Sequence, residues 1–122
     1  MFVWGIFHSR EDQESTIHFD DFTGRLFTTE ELAVECLKLQ EKWWREVYAD
    51  PFLMNQYKNE FFDFKTPDES IRWTKEPNEY DNDELQTVLS RDYSESNGIK
   101  MCERYVVRQL DVKDEGGYTT CL

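Results

Sequence analysis

The sequence predicts an α+β domain with a small antiparallel or mixed sheet, N- and C-terminal strands adjacent, and two to three helices packed on one face. Runs rich in β-branched and aromatic residues stand near both ends of the chain, at 2–9 and 99–112. Between them, 29–48 repeats apolar residues at three- and four-residue spacings, which is the pattern of an amphipathic helix. Pairing the terminal strands leaves fewer open sheet edges, and helices between strands pack on the sheet.

The first two strands are expected over 2–9 and 16–22. The segment FVWGIFHS is almost continuously apolar, which is typical of a strand buried on both faces at the centre of a sheet. The segment TIHFDDF alternates apolar and polar residues and predicts an antiparallel neighbour. Gly24 is expected to end this second strand.

Three helices follow in the prediction, over about 29–48, 51–62 and 67–73. Thr28 and Glu31 have the spacing of a capping box, in which the two residues satisfy backbone donors at the start of the first helix. Asp50-Pro51 is typical of an N-cap followed by proline at the first helical position. The third is a short helical turn that begins after Thr66 by the same capping logic.

The C-terminal half begins with an acidic loop and ends with a strand. The loop, 76–84, contains no basic residue. Residues 85–93 fit a helix or a strand, but the turn signal Asn97-Gly98 favours a hairpin with 99–112. We therefore expect one domain over 1–112 and a flexible tail over 113–122.

Charge is the strongest compositional signal. The 122 residues carry 26 Asp and Glu against 14 Lys and Arg, for a formal net charge of −12. An acidic surface repels phosphate backbones and anionic lipids, so we expect neither direct nucleic-acid binding nor membrane binding, but a basic protein surface as partner. The aromatic content of 16% indicates a folded chain, because disordered chains are poor in aromatic residues.

The three cysteines predict reduced thiols rather than disulfides. Cys36, Cys102 and Cys121 are odd in number and lack the CxxC spacing of zinc sites. The short apolar start is followed at once by charged residues, unlike a signal peptide, and no stretch approaches the length of a membrane span. These features favour a cytoplasmic protein.

No motif predicts catalysis, a cofactor or a metal site. His8 and His18 lie near Asp20 and Asp21, but their spacing matches no metal motif. Asp81-Asn82-Asp83 begins like a calcium loop, yet Gln86 stands where that loop requires glycine. The glycines form no phosphate-binding loop.

Aromatic residues beside carboxylates predict a partner-binding surface, since rings supply buried anchors and acids steer a basic partner. Trp43-Trp44 is interpreted differently: one ring belongs to the core and its neighbour covers the helix flank. The predicted partner-binding residues are Asp63, Trp73, Glu76, Glu79, Tyr80, Asp81, Asp83 and Glu84.

In its length, charge, aromatic content and lack of enzyme motifs, the chain resembles small phage-encoded inhibitors, including anti-restriction and anti-CRISPR proteins that imitate the charge of DNA. The segment Phe27-Thr28-Thr29-Glu30-Glu31 before a helix, and Tyr105-Val106-Val107-Arg108 in a late strand, are also similar to small phage domains. The resemblance implies an inhibitor acting in the host cytoplasm, and it carries over no functional residue.

Three hypotheses of function follow. The first is an interaction protein, monomeric or homodimeric, whose acidic face occupies a basic, nucleic-acid-binding surface of another protein. The second is a module that binds a small molecule or a peptide through aromatic residues of the helices and the hairpin. The third is a small hydrolase or nuclease built on His8 and His18.

Overall fold

The computed structural model of the chain describes residues 1–12, 17–56, 67–78, 83–95, 98–112 and 118–120. Its main elements are five antiparallel strands and one long helix, with two short helices and a short sixth strand. The helices are α1 (Glu30–Ala49), α2 (Pro51–Gln56) and α3 (Pro67–Ser70). The strands are β1 (Phe2–Asp12), β2 (Ile17–Phe27), β3 (Ile71–Pro77), β4 (Leu85–Ser94), β5 (Lys100–Val112) and β6 (Tyr118–Thr120).

The predicted fold, with two to three helices packed on one face of a small sheet, is wrong about how much of the chain is helix and how much is sheet. The sheet dominates the fold, and α1 is the one long helix of the described residues. Helix α2 is described over Pro51–Gln56, and the rest of the helix predicted to 62 lies outside the described residues. Residues 71–73, predicted as helix, instead begin β3, since Ile71 and Trp73 turn toward the core and Arg72 is exposed.

The strands follow the order β2-β1-β5-β4-β3, and every neighbouring pair is antiparallel. Strand β1 pairs with β5 along its whole length, from Phe2 opposite Asp111 to Asp12 opposite Met101. The expected adjacency of the first strand and 99–112 is therefore observed. Strand β6 adds three residues beside the end of β5. The other residues of the predicted flexible tail, 113–117 and 121–122, lie outside the described residues.

Gly24 does not end the second strand, which continues to Phe27. The register passes from Phe22 opposite Phe7 to Leu26 opposite Gly5, so three residues of β2 face Ile6 alone. Gly24 has a φ of 84° in this bulge, a left-handed conformation that glycine adopts readily. The Thr23 hydroxyl donates to the Ile6 carbonyl at 3.0 Å, which replaces a ladder hydrogen bond.

Helix α1 begins one residue later than the capping box predicted. Its N-cap is Thr29, whose hydroxyl oxygen accepts from the backbone N–H of Leu32 at 3.2 Å. The predicted cap of the second helix is confirmed, because Asp50 Oδ1 accepts from the N–H of Phe52 at 2.9 Å.

The ambiguous segment 85–93 is strand β4. It pairs with β3 on one side and with β5 on the other, where Val88 lies opposite Val106. Gly98, with a φ of 84°, lies in the connection to β5; Asn97 of the predicted turn lies outside the described residues.

Helix α1 covers the sheet face formed by Ile6, Leu89 and Val107, and Trp44 lies at the centre of this core with 1% of its surface exposed. Its neighbour Trp43 keeps 39% exposed on the helix flank. The prediction that one tryptophan joins the core and the other covers the flank is confirmed. A smaller cluster of Val3, Phe7 and Leu110 packs on the opposite face.

Candidate functional site

Four of the eight predicted partner-binding residues, Asp63, Glu79, Tyr80 and Asp81, lie outside the described residues. The other four, Trp73, Glu76, Asp83 and Glu84, belong to β3 and to the residues just before β4. The structure does not bring all four into one exposed surface, because Trp73 packs against the core and Glu76 pairs with Arg104 on the other face of β3.

Trp73 and Glu76 point to opposite faces of β3. The Trp73 ring packs against the core beneath α1, and its Nε1 donates to the carboxylate of Glu41 on that helix. Glu76 lies on the other face, where it accepts from Arg104 of β5. Trp73 is thus a core anchor and Glu76 a partner of an internal arginine.

Asp83 and Glu84 are exposed at the start of β4, and Glu84 lies near the beginning of α1. A pocket of about 260 Å³ separates these elements, and Glu30 of α1 and Glu84 both line it. Glu30 accepts from Lys75 at 3.5 Å and from the Thr87 hydroxyl at 3.4 Å, so its carboxylate is held toward the sheet. We call Glu30, Asp83 and Glu84 the acidic cluster.

The walls of this pocket are mostly polar, and Trp4 contributes an aromatic ring. The lining residues besides the two glutamates are Trp4, Asn78, Leu85, Gln86, Val107 and Gln109. Gln86 is 6% exposed, and its Oε1 has no hydrogen-bond partner in the part of the chain that the structure describes. A buried acceptor without a donor is costly, so a donor from a bound group would be favourable there.

Sequence reasoning missed Glu30 as a member of the cluster. From the sequence, Glu30 is expected only in the first turn of the helix, where a carboxylate suits the positive end of the helix dipole. Its approach to β4 depends on how α1 crosses the sheet, and spacing along the chain carries no signal of that crossing.

Three arginines are neutralised within the sheet. Arg91 and Arg108 are 4% exposed and pair with Glu103 and Asp20, while the half-buried Arg104 pairs with Glu76. These three pairs cancel their own charges, so the remainder of the chain carries the whole formal net charge of −12.

His8 belongs to a polar cluster beneath the end of α1. Its Nε2 lies 2.8 Å from Glu103 Oε1, and its ring stacks on Tyr105 with 4.6 Å between centroids. Arg91 donates from Nε to the other oxygen of Glu103 at 2.6 Å. The Arg91 guanidinium also lies over the Trp44 ring, 4.8 Å from its centroid.

Burial of Glu103 would raise its pKa, but the hydrogen bond from His8 and the charge of Arg91 act more strongly in sum and lower it. The carboxylate therefore stays ionised.

The Cα atom of His18 lies opposite Arg10, two positions along β1 from His8. Because Glu103 engages Nε2 of His8, the hydrolase hypothesis would have to use Nδ1 of this ring.

The cysteines of the described residues, Cys36 and Cys102, are free thiols. Burial, followed by the nearby Asp92 carboxylate, raises the pKa of Cys102 to about 12. Cys36 is partly exposed and accepts a hydrogen bond from Arg25 Nη1 at 3.1 Å. Within the same described part of the chain, no three His, Cys, Asp or Glu side chains are arranged to hold a metal ion.

A second pocket, of about 410 Å³, lies between β2 and α1. Its lining combines apolar side chains with polar ones. Its lining residues are Ile6, Thr23, Arg25, Cys36, Leu37, Leu39, Gln40, Trp43 and Tyr105.

Over the described residues, the helices are too short or too polar to cross a membrane. Comparison of the chain with protein-family models, with curated proteins and with solved structures gives no match.

Proposed function

We propose that the chain is an acidic protein-interaction module that binds a basic surface of another protein through the acidic cluster. The observation that carries the proposal is the approach of Glu30 to Glu84 across the pocket, next to the exposed Asp83. Two elements that are far apart in sequence thereby present carboxylates to the same region of solvent.

The internal pairing of the arginines supports this proposal. Because Arg91, Arg104 and Arg108 each contact a carboxylate in the sheet, they do not offset the acidic groups outside it. Lys75 contacts Glu30 of the cluster and the hydroxyl of Thr87. Exposed carboxylates in excess accelerate and orient encounters with a basic partner.

The pocket beside the cluster supports a cationic side chain as the group recognised. The side chains of lysine and arginine have N–H donors and no acceptors. They therefore complement the acceptor oxygens of Glu30, Glu84 and Gln86 at this pocket. The Trp4 ring at the same pocket supplies a face on which a guanidinium can stack. A partner surface that binds nucleic acid is rich in such side chains, so the module would act as an inhibitor by covering it.

The proposal is tested with an oligoarginine peptide as a basic probe. The double variant Asp83→Lys with Glu84→Lys should weaken binding about tenfold, equivalent to about 1.4 kcal/mol. The control is Glu35→Lys with Glu46→Lys, which changes the net charge equally on the outer face of α1. Equal weakening by both variants would reject the acidic cluster as the site.

The nature of the partner is tested by affinity capture from cells. A protein retained by the wild-type chain but not by the Asp83/Glu84 variant is expected to be released by a DNA duplex. Retention that persists in excess duplex would reject a nucleic-acid-binding surface as the target.

A further inference from the structure

The pocket between β2 and α1 has the dimensions and the walls of a ligand site. Its volume of about 410 Å³ falls within the roughly 300–1,000 Å³ typical of small-molecule pockets. Ile6, Leu37 and Tyr105 line it from the core side. Leu39 and Trp43 stand at the rim, with 68% and 39% of their surfaces exposed.

Arg25 gives this pocket a charge opposite to that of the whole chain. Among the described residues, it is the one arginine without a carboxylate within 4 Å. Its guanidinium instead donates from Nη1 to the Cys36 thiol at 3.1 Å. Since a guanidinium has five N–H donors, it retains donors for a ligand.

Within the part of the chain that the structure describes, Arg25 has no acidic partner, although the full sequence contains 26 Asp and Glu residues. The other six arginines, including the exposed Arg10 and Arg72, each contact Asp or Glu. A cation that no described carboxylate contacts, beside a pocket lined by both apolar and polar side chains, matches a ligand that brings its own anionic group.

The bulge in β2 places this cation at the pocket. Thr23 and Arg25 flank Gly24, whose φ of 84° turns the strand, and both residues line the pocket. Bulges commonly reorient side chains next to binding sites. Gln40 of α1 adds a polar group to the same lining.

We propose that this pocket binds a small monocarboxylic acid with an aliphatic or aromatic body. The body lies against Ile6, Leu39 and Trp43, and the carboxylate pairs with Arg25, whose planar fork suits two parallel hydrogen bonds. A monoanion is favoured over a phosphate because the net charge of −12 repels a dianion more strongly. This site is independent of the acidic cluster.

The test is isothermal titration calorimetry with three probes: octanoate, the neutral octanamide, and acetate, which lacks the apolar body. Octanoate should bind about tenfold more tightly than octanamide, because hydrogen bonds to an ionised group are about twice as strong as neutral ones. Acetate should bind far more weakly than either. Equal binding of octanoate and octanamide, or no detectable binding of octanoate, would overturn the proposal.

Two variants test where the apolar body of the ligand and its carboxylate bind. Arg25→Gln should remove the preference for octanoate over octanamide, while Leu39→Ser should weaken both by a similar factor. Arg45→Gln is the matched control, since Arg45 pairs with Glu41 on the other flank of α1. Loss of the preference in the Arg45 variant, or its persistence in the Arg25 variant, would contradict the site.

Discussion

Arg91 and Glu103 face each other on neighbouring strands, and their side chains form an ion pair beneath α1. Their Cα atoms are partners in the β4–β5 register, and Arg91 Nε lies 2.6 Å from Glu103 Oε2. Both residues are buried, and His8 binds the second carboxylate oxygen. This pair joins the two central strands to the polar cluster under the helix.

Removing the charge of Glu103 should destabilise the fold strongly. In Glu103→Gln, the buried Arg91 guanidinium loses its counter-charge, and breaking such a pair costs about 3–5 kcal/mol. Urea unfolding followed by circular dichroism measures the change, with the exposed Glu35→Gln as control. The double variant Arg91→Met with Glu103→Leu should recover much of the loss. A loss below about 1 kcal/mol in the single variant would show that the pair is not structural.

The Glu103 carboxylate should also make the stability of the fold sensitive to acid. Since the pKa of Glu103 is lower in the folded chain than its ordinary value of 4.5, folding favours the ionised form. Its stabilisation is complete above the ordinary pKa and is lost as the pH falls through the lowered pKa. The urea midpoint of the wild type should therefore fall below pH 4.5 more steeply than that of Glu103→Gln. Parallel curves for the two proteins would disprove this assignment.

The two described thiols should differ in reactivity. Because the pKa of Cys102 is raised to about 12 by burial and by Asp92, almost none of this thiol is ionised at neutral pH. Iodoacetamide applied to the native chain should modify Cys36 well before Cys102, as measured by mass spectrometry of peptides. Prior unfolding in urea should remove the difference. Faster modification of native Cys102 would contradict the burial seen here.

The position of the helix cap gives a direct test of local structure. Thr29→Ala should cost about 1 kcal/mol, since the Leu32 N–H loses its acceptor. Thr28→Ala should change the free energy of unfolding by much less. Chemical denaturation measures both, and a larger cost at Thr28 would restore the cap that the sequence predicted.

Local sequence patterns predict those helices and strands that are determined by residues within the element itself. The spacing of apolar residues in α1 and the Asp50 cap follow from side chains within those segments. The pairing of β1 with the last long strand is predicted differently, because it leaves fewer open sheet edges. The sequence predicts a helix over 71–73 from the capping signal before it. The alternation of Ile71, Arg72 and Trp73 covers only three residues, which is too short to predict a strand.

The candidate sites could be predicted only in part, because they depend on contacts between distant segments. Asp83 and Glu84 were found from the acidic run, but Glu30 reaches the same pocket through the crossing of α1. Trp73 is one of the predicted partner-binding residues, yet its contact with Glu41 places it against the helix. Arg25 gave no signal, since its isolation from carboxylates is a property of the fold.

The most direct test of the acidic cluster is residue-resolved NMR of the chain titrated with the oligoarginine peptide. The largest chemical-shift changes should occur at Glu30, Asp83, Glu84 and Leu85. They should shrink when the ionic strength rises from about 0.01 M to about 0.15 M, which shortens the Debye length from about 30 Å to about 8 Å. Changes that centre on Glu35 and Glu46, or that spread evenly over all exposed carboxylates, would contradict a localised binding surface.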